Sequence, residues 1–411
     1  MTTTLDFWFD YSCPYAYLGS TQVEALAQRM GARLTLQPML LGGVFKANGT
    51  PQNMMNQLSP AKARHNAFDM QRWAARFSVP LHMPPGHPMR TVEALRATLA
   101  TGVDPAVMHG FFRAYWIQGW PISHPDTLQH VLTAAGHDAA AVLARIQEQD
   151  IKDDLRARTD RAIALGIFGA PSYVVDGERM YWGQDRMHFV EGAKWMPGVG
   201  TASQSRSGAA DERTKTMAHT LDLYWDFSSP FAYLGSTQAE ALAERTGAAL
   251  RWQPMLLGGL FRSIGQADAP LSTWGEAKQR YTFADMSRWA EYWGVPFKFP
   301  TRFPMSTVKA MRVYLALPEE RRRAYREKTF RAYWAEDRDI ASDDVLRELI
   351  GEGADDVLAR TQAPEIKQEL IAATQRAVDA GVFGAPTWVV DGKELYWGQD
   401  RIALVEHALR R

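Results

Sequence analysis

Two positions in this chain hold the residue types and spacing best suited to chemistry. Cys13 precedes Pro14 and Ser229 precedes Pro230, each where a short apolar run gives way to a helical stretch. A strand feeding a helix there sets the side chain against a helix N-terminus. Its unpaired N–H groups and partial positive charge favour a thiolate or another anion. Dithiol exchange would need a second cysteine three residues on, but Ala16 and Ala232 stand there and Cys13 is the only cysteine. Intrachain disulfide chemistry and a cysteine-based zinc site are therefore excluded. If thiol chemistry takes place, the second position must import its thiol.

Two further blocks recur. Ala170-Pro171 and Ala385-Pro386 each open a hairpin-like segment; a cis bond there would aim the preceding backbone N–H and C=O across the site, able to pair with a peptide-like ligand. Trp182-Gly183-Gln184-Asp185-Arg186 repeats as Trp397 to Arg401. Its aspartate, in the first turn of a helix, is placed to cap that helix or to accept from a ligand ammonium. Asp10 and Asp226 read as turn-shaping residues. The histidines of HMPPGH, His82 and His87, face Lys298 and Phe303 in the matching stretch, so no metal site is expected. The aromatic stretch Phe111 to Trp116, repeated as Phe330 to Trp334, reads as core.

The elements that must position these residues occur twice. Leu5 to Gly49 aligns with Leu221 to Gly265 without a gap at roughly two-thirds identity, and GIFGAPSYVVDG meets GVFGAPTWVVDG further on. In each copy an aromatic-rich strand, a helix with proline at its first position and a second strand form a βαβ unit. More than a hundred residues of helical periodicity follow; Met70, Trp73, Ala74 and Phe77 show the spacing, as do Met286, Trp289, Ala290 and Trp293. A hairpin and a closing helix complete the copy. The expected fold is α/β: two thioredoxin-like domains, each with an inserted all-helical subdomain. The first covers 1–197 with its insert at about 58–165, the second 221–411 with its insert at about 274–380. Between them, 198–220 is small, polar and aperiodic, the composition of a flexible linker.

Acidic and basic residues balance at 46 each, which favours neither nucleic acid nor an anionic membrane. No apolar run is long enough to span a bilayer, and the first residues lack the features of a secretory signal, so the expected location is the cytoplasm.

FDYSCPYAYL, WDFSSPFAYL, the LLGG stretches, FGAP and WGQDR together resemble 2-hydroxychromene-2-carboxylate isomerases, relatives of kappa-class glutathione transferases in the DsbA-like branch of the thioredoxin superfamily. The resemblance covers both copies outside the linker. It implies glutathione as cofactor, with Ser229 and Cys13 holding its sulfur and Ala170-Pro171 and Ala385-Pro386 meeting its cysteinyl part. Gln184 with Asp185, and Gln399 with Asp400, would hold its γ-glutamyl end. Lys62 and Lys278 match a lysine near glutathione, one to each copy, whereas Thr50 and Gln266 replace an asparagine of the family. The implied activity is glutathione-dependent isomerisation of a small conjugated aromatic substrate by reversible thiolate addition, a step of aromatic-compound catabolism. The alternative is a kappa-like glutathione transferase or glutathione-linked oxidoreductase using Cys13, with one copy non-catalytic. A cysteine in the electropositive turn would be nucleophilic and open to capping by glutathione. The two copies are expected to pair as an internal pseudo-dimer, since covalent linkage raises their effective concentration.

Overall fold

The computed structural model describes residues 2–52, 57–192, 219–266 and 270–411. The stretch expected as linker lies outside the described residues up to 218, and Thr220 already opens a strand. The chain divides into two compact units. Unit 1 comprises Met1–Leu58, Asn66–Ala193 and Trp274–Tyr281; unit 2 comprises Ser59–His65, Lys194–Thr273 and Thr282–Arg411.

Unit 1 is built on β1 (Thr4–Phe9), α1 (Pro14–Met30), β2 (Arg33–Pro38) and α2 (Leu41–Ala47). After α3 (Pro60–Arg76) come α4 (Val92–Ala100), α5 (Pro105–Arg113), a π-helical turn at Ala114–Gln118, α6 (Pro125–Ala134), α7 (Ala139–Arg145) and α8 (Gln149–Ala164). The chain then returns to the sheet as β3 (Ser172–Val175) and β4 (Arg179–Trp182) and closes with α9 (Met187–Val190). The sheet order is β2-β1-β3-β4, with β1 and β2 parallel and the other pairs antiparallel. Asp176 and Gly177 both take positive φ in the β3–β4 turn, which is why an Asp-Gly pair sits there.

Unit 2 repeats the plan with β5 (Thr220–Trp225), α10 (Pro230–Thr246), β6 (Ala249–Pro254) and α11 (Leu257–Ser263). Then follow α12 (Glu276–Trp293), α13 (Val308–Ala316), α14 (Glu319–Trp334), α15 (Asp343–Ile350), α16 (Ala354–Arg360) and α17 (Pro364–Asp379). The last elements are β7 (Thr387–Val390), β8 (Glu394–Trp397) and α18 (Ile402–Leu409), and the sheet order is β6-β5-β7-β8. Each unit is thus a mixed sheet carrying a βαβ half and a ββα half, with the helices inserted between them. Among the described residues no helix is long and apolar enough to cross a membrane.

Three sets of hydrogen bonds hold the strand-to-helix turn that carries Cys13 or Ser229 and the next such junction, before α2 or α11. The first is the buried aspartate that ends the strand. Asp10 accepts from Ser12 N–H at 2.9 Å and from Leu41 N–H at 2.8 Å; Asp226 accepts from Ser228 N–H at 3.0 Å, Leu257 N–H at 2.7 Å and the Thr307 hydroxyl at 2.7 Å. Each carboxylate ties the turn to the first N–H of the LLGG helix, and burial raises its pKa against those bonds. The second is a tryptophan of the insert: Trp116 Nε1–H donates to Tyr11 O and Trp334 Nε1–H to Phe227 O, both at 2.8 Å. The aromatic stretch is buried as core, and it also fastens the turn. The third is a threonine that accepts the N–H just before α2 or α11. Thr159 takes Leu40 N–H at 3.0 Å and Thr374 takes Leu256 N–H at 2.9 Å. Gly43 leaves room for this, because a Cβ there would lie 3.0 Å from the Thr159 methyl.

Asp226→Asn tests the clamp. An amide offers one carbonyl oxygen and, in either orientation, sets its NH₂ against a backbone N–H of Ser228 or Leu257, so unfolding stability should fall by about 1–3 kcal/mol. Chemical denaturation checks it; an unchanged midpoint would mean the carboxylate is not the clamp.

Candidate functional site

The turn, the Ala-Pro pair and the Gly-Gln-Asp segment meet in each unit. Cys13 is the residue before α1, and its Sγ–H donates to the Ala170 carbonyl at 3.0 Å. Ser229 is the residue before α10; its hydroxyl donates to the Ala385 carbonyl at 3.0 Å and accepts Ala232 N–H at 3.1 Å. The serine therefore caps its helix and reaches across to the second block at once, whereas the cysteine makes no side-chain cap. Both Ala170-Pro171 and Ala385-Pro386 are cis. Across the helix, a Cβ on Gly235 would lie 3.2 Å from Pro386 Cγ and 3.5 Å from Gln399 Cβ, which places the proline and the glutamine side by side beneath α10.

The FGAP and WGQDR blocks depend on each other. A Cβ at Gly169 would lie 2.6 Å from Trp182 Nε1, and one at Gly384 2.5 Å from Trp397 Nε1, so only glycine lets the indole lie over the chain there. Phe168 meets Trp182 at 4.9 Å between ring centres, and Phe383 meets Trp397 at 5.2 Å. After each tryptophan a glycine with strongly positive φ leads into a 3₁₀ turn, Gln184–Arg186 or Gln399–Arg401. Asp185 and Asp400 lie within those 3₁₀ turns. Each pairs with the next arginine at 3.0 Å, and a Cβ on the preceding glycine would lie 2.5 or 2.4 Å from the carboxylate oxygen. Gln184 and Gln399 are buried, and Gln184 Nε2 has no acceptor among the described residues. The Tyr173 hydroxyl in unit 1 is likewise buried without a partner among them, where unit 2 has Trp388 with its Nε1–H on Gly398 O at 3.1 Å.

The lysines do not follow the order of the repeats. Lys278 belongs to unit 1, with its ammonium 5.9 Å from the centre of the Trp182 ring and 4.1 Å from that of Trp274. Lys62 belongs to unit 2, 5.2 Å from the Trp397 ring, and burial lowers its pKa. Assigning Lys62 to the Cys13 site and Lys278 to the Ser229 site is thus corrected: each lysine arrives at the start of a helix long enough to leave its own repeat's unit. Beside each lies a residue not singled out in the sequence. Tyr281 Oη accepts Trp182 N–H at 3.0 Å in unit 1, and His65 Nε2 accepts Trp397 N–H at 3.1 Å in unit 2. Both stand three residues after the lysine, and that shared offset was the available signal.

The expected nucleophilicity of Cys13 is also corrected. Burial pushes its thiol up to about 12; the Ala16 and Tyr15 N–H groups act in the lowering direction but do not offset it, and Asp10 adds to the rise. At neutral pH Cys13 is a thiol that donates to Ala170. Neither site has a metal-like neighbourhood: no group of three or more His, Cys, Asp or Glu able to hold an ion occurs among the described residues.

The DSBA-like thioredoxin domain matches the chain twice, over residues 4–193 and 220–410. The chain belongs to the DsbA-like thioredoxin family. Among its relatives, this DsbA-like chain is 30% identical over 202 residues to 2-hydroxychromene-2-carboxylate isomerase of Sphingobium xenophagum, an alignment covering 47% of the chain and 99% of the relative. It is 27% identical over 222 residues to glutathione S-transferase kappa 1 of Homo sapiens, covering 49% and 97% respectively. A solved 2-hydroxychromene-2-carboxylate isomerase superposes with a TM-score of 0.42 at 26% identity, covering 46% of the chain and 94% of that protein. Each relative is about as long as one repeat, as a tandem duplication requires.

Cys13 chemistry yields a direct test. With the thiol near 12 rather than 9, the thiolate fraction at neutral pH falls roughly a thousandfold. Iodoacetamide should therefore label Cys13 far more slowly than a free thiol, the rate climbing as pH rises toward 12. Rapid labelling at pH 7 would contradict the burial described for this turn.

Proposed function

We propose that the chain is a glutathione-dependent isomerase of the 2-hydroxychromene-2-carboxylate type, with the Ser229 site as its main centre. The observation that carries this reading is the Ser229 hydroxyl set between a helix N-terminus and the Ala385 carbonyl. The residues fit glutathione. A hydroxyl donor stands at a helix N-terminus, a backbone carbonyl faces it, and in the sister site a buried amide donor, Gln184 Nε2, lacks an acceptor among the described residues. When bound, glutathione supplies a thiolate that adds to a conjugated double bond and leaves again, so that the bond turns while it is single.

The chain's own residues do the rest. Ser229 O–H swings from Ala385 O to the sulfur as a charge-assisted donor. That frees the Ala385 carbonyl to accept the N–H of the cysteinyl part, and the N-terminus of α10 stabilises the negative charge. Gln399 and Asp400 hold the γ-glutamyl end, and Lys62, with its pKa lowered beside Trp397, offers a positive charge to a carboxylate. Serine suits this work better than cysteine, because O–H is a firm donor and S–H a weak one. In unit 1 Cys13, Ala170-Pro171, Gln184, Asp185 and Lys278 occupy the same roles around a weaker donor. The transferase or oxidoreductase reading through Cys13 is disfavoured by the raised thiol pKa. A reducing cytoplasm would supply the glutathione.

Turnover of a hydroxychromene carboxylate should require added glutathione and should fall about ten- to a hundredfold in Ser229→Ala, with little change in Cys13→Ala. Glutathione-independent turnover, or a loss in Cys13→Ala alone, would overturn the reading.

The lysine assignment is tested separately. Lys62→Ala should raise the glutathione concentration needed for that turnover, while Lys278→Ala leaves it in place. The reverse pattern would return each lysine to its own repeat.

A further inference from the structure

The two sites differ most in a wall that the roles above do not use. In unit 2 a file of aromatic rings runs from the surface to the catalytic turn. Phe283, 39% exposed on α12, meets Phe299 edge to face at 4.8 Å. Phe299 meets Phe303 at 5.0 Å and Trp334 at 5.8 Å, and Phe303 meets Trp334 at 6.0 Å. Trp334 is wholly buried and donates its indole N–H to Phe227 O, two residues before Ser229. Lys298 N–H on Trp334 O at 2.7 Å fastens the loop bearing Phe299 to the same helix. Phe299 and Phe303 are only half-buried, so part of their ring surface stays open to solvent.

Half-buried rings in a row, tied to the turn through Trp334, offer apolar surface on which a planar ligand can stack. Unit 1 has the same backbone plan with a different wall. Ala67, Met83 and His87 take the places of Phe283, Phe299 and Phe303. His87 lies 5.2 Å from the Trp116 ring, as Phe303 lies against Trp334, but its Nδ1 is 2.9 Å from the Tyr115 hydroxyl. The same hydroxyl accepts Met89 N–H at 2.8 Å. The first wall therefore carries one ring, the hydrogen-bonded imidazole of His87, beside Ala67 and Met83; the second is a continuous row of phenyl rings.

We propose that Phe283, Phe299 and Phe303 form the face on which unit 2 stacks a planar aromatic carboxylate, and that this face, absent from unit 1, decides which site takes such a substrate. The inference rests on reading unit 2 as a catalytic site for a conjugated aromatic compound and adds the residues that select it. Offset or edge-to-face contact with two rings supplies the selectivity; Trp334 sets their distance from Ser229.

The test uses the full chain and 2-naphthoate, a planar aromatic carboxylate with no double bond to isomerise, with binding measured by calorimetry. The parent should bind it, Phe299→Met with Phe303→His should weaken binding about tenfold, and Phe283→Ala, at the exposed end, should weaken it less. Met83→Phe with His87→Phe should leave the unit 2 affinity unchanged and add weak binding at unit 1. Binding that survives the Phe299/Phe303 exchange, or a parent that does not bind naphthoate, overturns the proposal. Because naphthoate does not react, binding that follows this pattern without any isomerase turnover supports the aromatic face and counts against the isomerase reading alone.

Discussion

One hydrogen bond crosses each site, from the side chain before the helix proline to the carbonyl before the second proline. In unit 2 it runs from Ser229 to Ala385 and in unit 1 from Cys13 to Ala170, both at 3.0 Å. It joins the βαβ half of the fold to the ββα half, which are separated in sequence by the whole helical insert. A donor spent on a backbone carbonyl is one a ligand can claim without leaving a buried group unpaired, provided the ligand brings its own N–H for that carbonyl. The bond ties the two halves together in the free protein and, on the proposed function, marks the two atoms that a peptide-like thiol would address.

Around that bond two opposing effects set the chemistry. A helix N-terminus draws negative charge, and burial repels it. For a protein group with no partner charge, burial prevails: Cys13 stays a thiol although two N–H groups face its sulfur. For a thiolate that arrives with its own hydrogen-bond acceptors and donors, the same N–H groups and a serine hydroxyl are already in place. A site can thus be poor at ionising its own cysteine and still be suited to holding an imported sulfur, and the serine in unit 2 goes further in that direction.

Much of this was legible in the sequence, for identifiable reasons. The duplication, the βαβ and ββα halves and the Asp-Gly turn follow from repeats, periodicity and residues that tolerate positive φ. The role of the FGAP glycine is seen only in the structure, where it makes room for an indole thirteen residues on. The destination of the lysines was not legible, because spacing along α3 and α12 does not say which compact unit the start of each helix joins. The roles of His65 and Tyr281 were hidden for the same reason. The state of Cys13 could not be read either: an N-terminal position is a sequence property, whereas burial depends on how the chain folds back on the turn, as Ala170 does from 157 positions away.

The central claim is that Ser229 and the start of α10 hold an imported sulfur as its thiolate. Ultraviolet difference absorbance of glutathione bound to the full chain at neutral pH reads that state directly. The account predicts a thiolate band in the parent, retained in Cys13→Ala and largely lost in Ser229→Ala. A band that is absent from the parent, or unchanged in Ser229→Ala, would contradict it.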